Sequence, residues 1–395
     1  MSKTYTYFGG VPPNLTDIFI ESMPSTEPSI QSSSTSIPSS LEVFRVQYAA
    51  MHGYVSAFVC VFGIVANLAN IVVLTRKNMI TSTNLILTWL AVTDSLKMAD
   101  YLMFAIEFYI MKDSNLPYLA VRNIHSVRFL LFHASFALVC HNIAIWLTIS
   151  LATFRFLYIW FPTRGMVWCS IERAKIMVAL VYIIVIVICI PNYMMNFIGP
   201  LPTPANFTGN ATEEVWTVHM VKEGNALHTI NFYIQAIMIK LVPCVMLSIL
   251  TFLLIYAMHK AYKKRLALMN QGKKEESDRH HEHNRTTGML LAIVVLFLIT
   301  ELPQGVLSLL IIFIPELQNS VYNQIGDVLD IVALCNNAIN FVLYCSMSKQ
   351  FRDTFVRIFC KCCPIGKPNL SRLKLITNNR NGHTNYDTNS KATYV

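Results

Sequence analysis

Residues 54–75 read YVSAFVCVFGIVANLANIVVLT, 22 positions without one Asp, Glu, Lys or Arg. About 20 apolar residues in a helix cross the ~30 Å hydrocarbon core of a bilayer, so this stretch predicts a membrane span. Six further spans follow at roughly 84–108, 129–154, 176–198, 230–258, 289–314 and 325–347. The third and fourth are as free of charge in their cores as the first. The second carries Asp94, Lys97, Asp100 and Glu107, and the seventh Asp327 and Asp330. Both are kept as spans because such groups can face the interior of a helix bundle. Composition agrees: 54% of the 395 residues are hydrophobic and only 13% charged, about half the charged share of a soluble domain. An ordinary cytosolic enzyme and a disordered chain are excluded, leaving an all-α membrane protein built as a seven-helix bundle.

The basic residues set the topology. Twenty-three of the 31 Lys and Arg residues fall in 76–77, 155–175, 260–285 and 349–391, and six in 1–50, 109–128, 199–229 and 315–324. By the positive-inside rule the N-terminus is outside and the C-terminus cytoplasmic, at the plasma membrane. The net charge of +9 is therefore topology rather than a nucleic-acid footprint. No basic-then-apolar signal sequence precedes span 1, which is expected to act as its own anchor.

The expected organisation is a disordered outer tail over 1–50, the seven-helix transmembrane domain over 51–347, an amphipathic helix over 348–363 and a disordered inner tail over 364–395. The stretch 22–40, SMPSTEPSIQSSSTSIPSS, lacks the apolar residues to build a core. Asn14, Asn206 and Asn210 head N-x-S/T acceptors on the outside and are expected glycosylation sites. After span 7, Phe351, Phe355, Ile358 and Phe359 recur at helical spacing among basic residues, which predicts a helix lying in the inner interface of the bilayer. Cys360, Cys362 and Cys363 end it where S-acylation would add an anchor. The other seven of the ten cysteines lie in apolar runs or, for Cys169, in a basic loop, so no disulfide framework is suggested. The last residues, Thr393, Tyr394 and Val395, fit the C-terminal pattern that PDZ domains add as a β-strand.

Residues specific to each span narrow the reading. Asn67 sits in GIVANLANIVVL, Asp94 in LAVTD, Arg155 at the inner end of span 3 and Pro243 in KLVPC. Pro303 lies in ITELPQG, and Asn340 with Tyr344 in NFVLY. In this order they resemble the rhodopsin-like G-protein-coupled receptors over roughly residues 54–360. Departures narrow the resemblance further. The span 6 stretch reads Thr300-Glu301-Leu302-Pro303 where that family has a Trp two before the Pro. Phe154 replaces the acid before Arg155, and Phe341 the Pro after Asn340. The family's outer disulfide is unavailable, because neither the top of span 3 nor the 199–229 loop holds a Cys. With HNRTTGMLLAIVVLFLITELPQG (283–305), LLFHASF (130–136), HNIAIWLTISLATFRF (141–156) and VWCS (167–170), these departures resemble the invertebrate myosuppressin and FMRFamide-like neuropeptide receptors, including the sex peptide receptor, in a nematode-like form.

The resemblance implies an amidated neuropeptide as ligand, a heterotrimeric G protein of the inhibitory class as partner, and no catalysis. Candidate ligand-binding residues are Asp100, Glu107, His133, His141, Lys240, Glu301, Gln304 and Asp330. The residues expected to switch between states are Asn67, Asp94, Arg155, Pro243, Phe297, Pro303, Asn336, Asn340 and Tyr344. Asp94 needs a partner, a sodium ion or a proton, since a lone buried charge is costly. Sodium and a water-filled polar network both stand, Ala144 replacing the family's usual hydroxyl near that level. Glu301, just before Pro303, is placed by the resemblance at the floor of the ligand pocket, with Lys240 or His141 as partner. A closed Glu301–Lys240 pair is the structural alternative.

Five acids against Lys97 and Lys240 make the outer half of the bundle acidic, which suits a ligand Arg held by two parallel hydrogen bonds. Asp100 or Asp330 is expected to take that Arg. The basic loop 259–286 is expected to meet the G protein, and the unlocked Arg155 to raise basal signalling modestly. Neither His133 with His141 nor the HHEH run (280–283) has a second ligand set, so no metal or other cofactor is expected. Two alternatives from other classes are a chemosensory receptor for a small odorant and a proton- or ion-coupled transporter. A retinal-bearing light sensor is excluded by the lack of Lys in 325–347, and no hydrolase triad, phosphate loop or dinucleotide fingerprint is present.

Overall fold

The computed structural model describes residues 40–112, 121–200, 215–221, 226–270, 274–314 and 316–359. The helices are α1 (Ser40–Leu74), α2 (Ser82–Ala105), α3 (Ile124–Trp160), the short α4 (Pro162–Trp168) and α5 (Ile171–Met195). A two-stranded hairpin follows, β1 (Asn196–Pro200) antiparallel to β2 (Trp216–Met220). Then come α6 (Ala226–Tyr233), α7 (Val242–Asn270), α8 (Lys274–Phe313), α9 (Asn323–Met347) and α10 (Lys349–Phe359). Seven expected spans thus become α1, α2, α3, α5, α6 with α7, α8 and α9.

Six of the seven are long and apolar enough to cross a membrane on length and composition alone; α2 is not, because of its charges. Those charges point inward: Asp94, Lys97 and Asp100 are 2%, 8% and 7% exposed. The opposite sides of the helices are greasy. On α5, Ile176, Leu180, Ile183, Ile184 and Val187 stand exposed along a helix whose Val178, Val185 and Cys189 are buried. In water that face would be unfavourable; against lipid tails it costs nothing.

Helix starts follow their caps. Thr81 accepts from Asn84 N at 3.1 Å at the head of α2, and Asn123 from His125 N at 2.9 Å at the head of α3. Ser170 caps α5 with Glu172 in the first turn. Gly63 lets α1 and α2 approach closely, because a Cβ there would overlap the Met98 thioether.

Several expectations change. Residues 40–50, assigned to the tail, continue α1 as helix. The fourth span ends at Met195, and 196–200 becomes a strand whose partner lies in the loop read as irregular. The basic stretch 259–286 is mostly helix, with α7 reaching Asn270 and α8 starting at Lys274, so HHEH sits on a helix rather than in a loop. Three π turns break the α pattern, at Ile106–Ile110, Ile234–Leu241 and Gln318–Tyr322. The middle one has a clear cause: Pro243 lacks an N–H and its ring crowds the carbonyl four residues back, so the preceding turn widens. The expected glycosylation sites, the cysteines Cys360, Cys362 and Cys363, and the C-terminal Thr393, Tyr394 and Val395 lie outside the described residues.

Two apolar clusters flank a polar middle. At the hairpin end Tyr101, Phe104, Phe108, Val127 and Leu130 pack with Val215 and Val218 of the hairpin region. At the other end Ile145, Ile149, Ala152, Leu247, Leu254, Val294 and Phe297 join α3, α7 and α8.

Candidate functional site

Between α2, α3, the π turn before α7, α8 and α9 lies a cavity of about 770 Å³, its open mouth included. Lys97, Tyr101, His133, His141, Gln235, Lys240, Gln304 and Asp330 line it among apolar side chains. A concave site with a few converging polar groups is the usual form of a ligand pocket.

Its charges are ordered by hydrogen bonds. His141 sits between Lys97 Nζ, 3.3 Å from its Nδ1, and Glu301 Oε2, 3.1 Å from its Nε2. An ammonium only donates, so Nδ1 accepts and the Nε2–H donates to the carboxylate, which assigns the tautomer. Of the two expected partners for Glu301, His141 makes the direct contact and Lys240 does not. The closed Glu301–Lys240 pair is absent among the described residues. Two turns along α3, His133 Nδ1 lies 2.7 Å from Asp100 Oδ2, and its ring stacks on Phe104 at 4.0 Å with 6° between planes. One oxygen of Asp100 is thereby engaged within the chain, while its Oδ1 is buried with no hydrogen-bond partner among the described residues.

Asp330 has a different environment. Tyr101 donates its hydroxyl to Asp330 Oδ2 at 3.0 Å, and the Tyr101 hydroxyl oxygen in turn lies 3.0 Å from His52 Nε2, which is also 3.2 Å from Ser56 Oγ. The other outer acids are likewise bonded: Tyr109 donates to Asp327 at 2.9 Å and Ser126 to Glu107 at 2.5 Å. The acidic surplus expected over the outer half is therefore largely engaged, and the cavity wall itself presents two lysines and one aspartate. Gln304 reaches Tyr322 at 3.5 Å.

The residues expected to switch divide into two groups. Asn340 donates to Asp94 Oδ2 at 3.2 Å, but Asn67 turns to the Asn337 carbonyl at 3.0 Å and receives Asn70 at 3.4 Å. Asn336 is buried, with no side-chain hydrogen bond to this group among the described residues. At the far end, beside Phe154, Arg155 Nε is buried with no hydrogen-bond partner among the described residues. Next to it the Cys169 thiol donates to the Phe154 carbonyl at 3.4 Å; burial pushes that thiol up from its ordinary range, so it keeps the proton it donates. Phe297 is packed in the far cluster, and Tyr344 is 2% exposed against Phe351. Pro303 lies inside α8.

His52, Tyr101, Tyr109 and Gln235 were not singled out in the sequence. Tyr101 had a signal: it follows Lys97 by four residues and so shares its helix face. His52 and Ser56 share the same spacing on α1, but nothing local marks them as facing a span 7 acid.

Residues 54–362 match the family described as serpentine type 7TM GPCR chemoreceptor Srw. The G-protein coupled receptor dmsr-1 of Caenorhabditis elegans is 28% identical, over 82% of this chain and 72% of that protein. The sex peptide receptor of Drosophila melanogaster is also 28% identical, over 80% and 74%. The FMRFamide receptor of the same fly is 23% identical, over 81% and 56%. A match over residues 54–362, which take in all seven spans, places the chain in the serpentine seven-transmembrane G-protein-coupled receptors: it is a multi-pass membrane receptor of the Srw family.

Proposed function

We propose that this receptor binds an amidated FMRFamide-like or myosuppressin-like neuropeptide in the cavity at its hairpin end, facing outside at the plasma membrane. It then drives nucleotide exchange on a heterotrimeric G protein of the inhibitory class at the Arg155 end. The observation that carries the reading is Asp330: a half-buried carboxylate lining the cavity whose described contact is a neutral hydroxyl. A ligand guanidinium would supply the missing charge through two parallel hydrogen bonds. Asp100, its competitor for that role, already holds His133, so its part is to fix the cavity wall. Relatives named for FMRFamide and for a sex peptide support a peptide as ligand.

The test is a screen of amidated Arg-Phe peptides on transfected cells, reading several G-protein pathways. Charge reversal at Asp330 together with Asp100 is expected to abolish the response while surface expression survives; an unchanged dose response would remove the pairing. A second reading, a chemosensory receptor for a small molecule, is favoured by the family's description as chemoreceptors. Silence to every peptide with a response to small odorants would select it.

A further inference from the structure

Lys240 differs from every other charge around the cavity. It is 8% exposed and lines the cavity, yet among the described residues no side chain lies within hydrogen-bonding or ion-pair distance of its ammonium. A buried, unpaired ammonium is costly, and that cost is recovered when a ligand acceptor arrives. Glu301 is near enough to act through its field but spends its hydrogen bond on His141.

Five residues earlier stands Gln235, 1% exposed and also lining the cavity. Its Nε2 donates to Asn192 Oδ1 at 3.0 Å, which leaves its Oε1 as the group available to a ligand. In an ordinary α-helix residues five apart point about 140° from each other, at 3.6 residues per turn. The π turn Ile234–Leu241, whose bonds run from i to i+5, brings both to one cavity wall. The widened turn thus puts one donor and one acceptor on the same cavity wall.

From this we infer that Lys240 and Gln235 together read a primary carboxamide on the ligand: its carbonyl oxygen accepts from Lys240 Nζ, and its N–H donates to Gln235 Oε1. A carboxylate also accepts from Lys240 but has no N–H for Gln235 and sets an anion against the Gln235 Oε1 and near Glu301, so selection against the free acid rests on those two contacts. Rejection of an analogue lacking the hydrogen-bonding group, through polar atoms left unpaired, is a strong source of selectivity. The inference rests on the peptide reading above and adds the residues that make amidation matter.

The experiment uses the full-length receptor in cells, with surface levels measured. FMRFamide and a panel of peptides ending in Arg-Phe-amide are each paired with the same peptide as a free acid. The wild type is expected to prefer the amide by about 10- to 100-fold in EC50, the range of one charge-assisted hydrogen bond. Lys240→Met should weaken the amide by a similar factor and collapse the preference. Gln235→Lys, which offers a cation in place of the acceptor, should turn the preference toward the acid; it keeps the test alive if Lys240→Met does not reach the surface. A wild-type response with no amide preference, or a preference that survives these substitutions, overturns this inference alone. Silence to every peptide overturns it together with the peptide reading.

Discussion

The two ends of this bundle are built on opposite terms. Around the hairpin-end cavity, the buried Lys97, Asp100, His133 and Glu301 and the half-buried His141 are paired by short hydrogen bonds, and Asp330 is held by Tyr101. At the Arg155 end the core is the apolar cluster of Ile145, Ile149, Leu247, Leu254 and Phe297, and the Arg155 Nε is buried and unbonded among the described residues. The first arrangement holds a defined shape because each charge depends on its neighbour. The second is held by packing, which is non-directional and can slide. A receptor needs both: a fixed surface to recognise a ligand and a yielding one to change shape.

The difference can be broken from either side. The largest effect is expected for Glu301→Leu, which strands His141 and Lys97 without their carboxylate. Removing one partner of a buried charge network costs about 3–5 kcal/mol, so thermal stability in detergent should fall sharply and peptide response with it. Glu301→Gln, which keeps an acceptor, should fall less. Leu254→Ala at the far end, 1% exposed, should cost about 2–4 kcal/mol of stability through its cavity. Measured peptide affinity should stay near wild type, separating the two ends. Phe154→Asp would give Arg155 the acid it lacks; a partly buried pair of this kind is worth roughly 1 kcal/mol, so basal signalling should drop about fivefold. Basal output equal to wild type would remove the unlocked-Arg account. The smallest change is at Lys260, whose ammonium lies 4.5 Å from the centroid of Trp160 and ties α7 to α3. Lys260→Ala should release about 0.5–1 kcal/mol and raise basal output about two- to fivefold.

Much of the bundle was legible because hydrophobic run length and buried charge speak at the level of single spans. Glu301, Asp330 and His133 stood out as acids and imidazoles where lipid would punish them. What could not be read was pairing. Asp100 and Asp330 look equivalent in sequence, and only the packing of α3 and α9 against α2 gives the first a histidine and the second a tyrosine. The π turns were hidden for a similar reason: periodicity over eight residues hardly distinguishes a wide turn from a normal one, so the alignment of Gln235 with Lys240 appears only in three dimensions. The hairpin was missed because its strands are five residues each and separated by a long connection.

The central claim is that Asp330 receives a ligand guanidinium, and a charge swap tests it most directly. Asp330→Lys should lose its response to an amidated Arg-Phe peptide by 100-fold or more, about the worth of a buried charge pair. A peptide carrying Glu in place of that Arg should then restore activity on the variant and remain inactive on the wild type. Failure of the swapped peptide, with Asp330→Lys still answering the original one at the cell surface, would contradict the account.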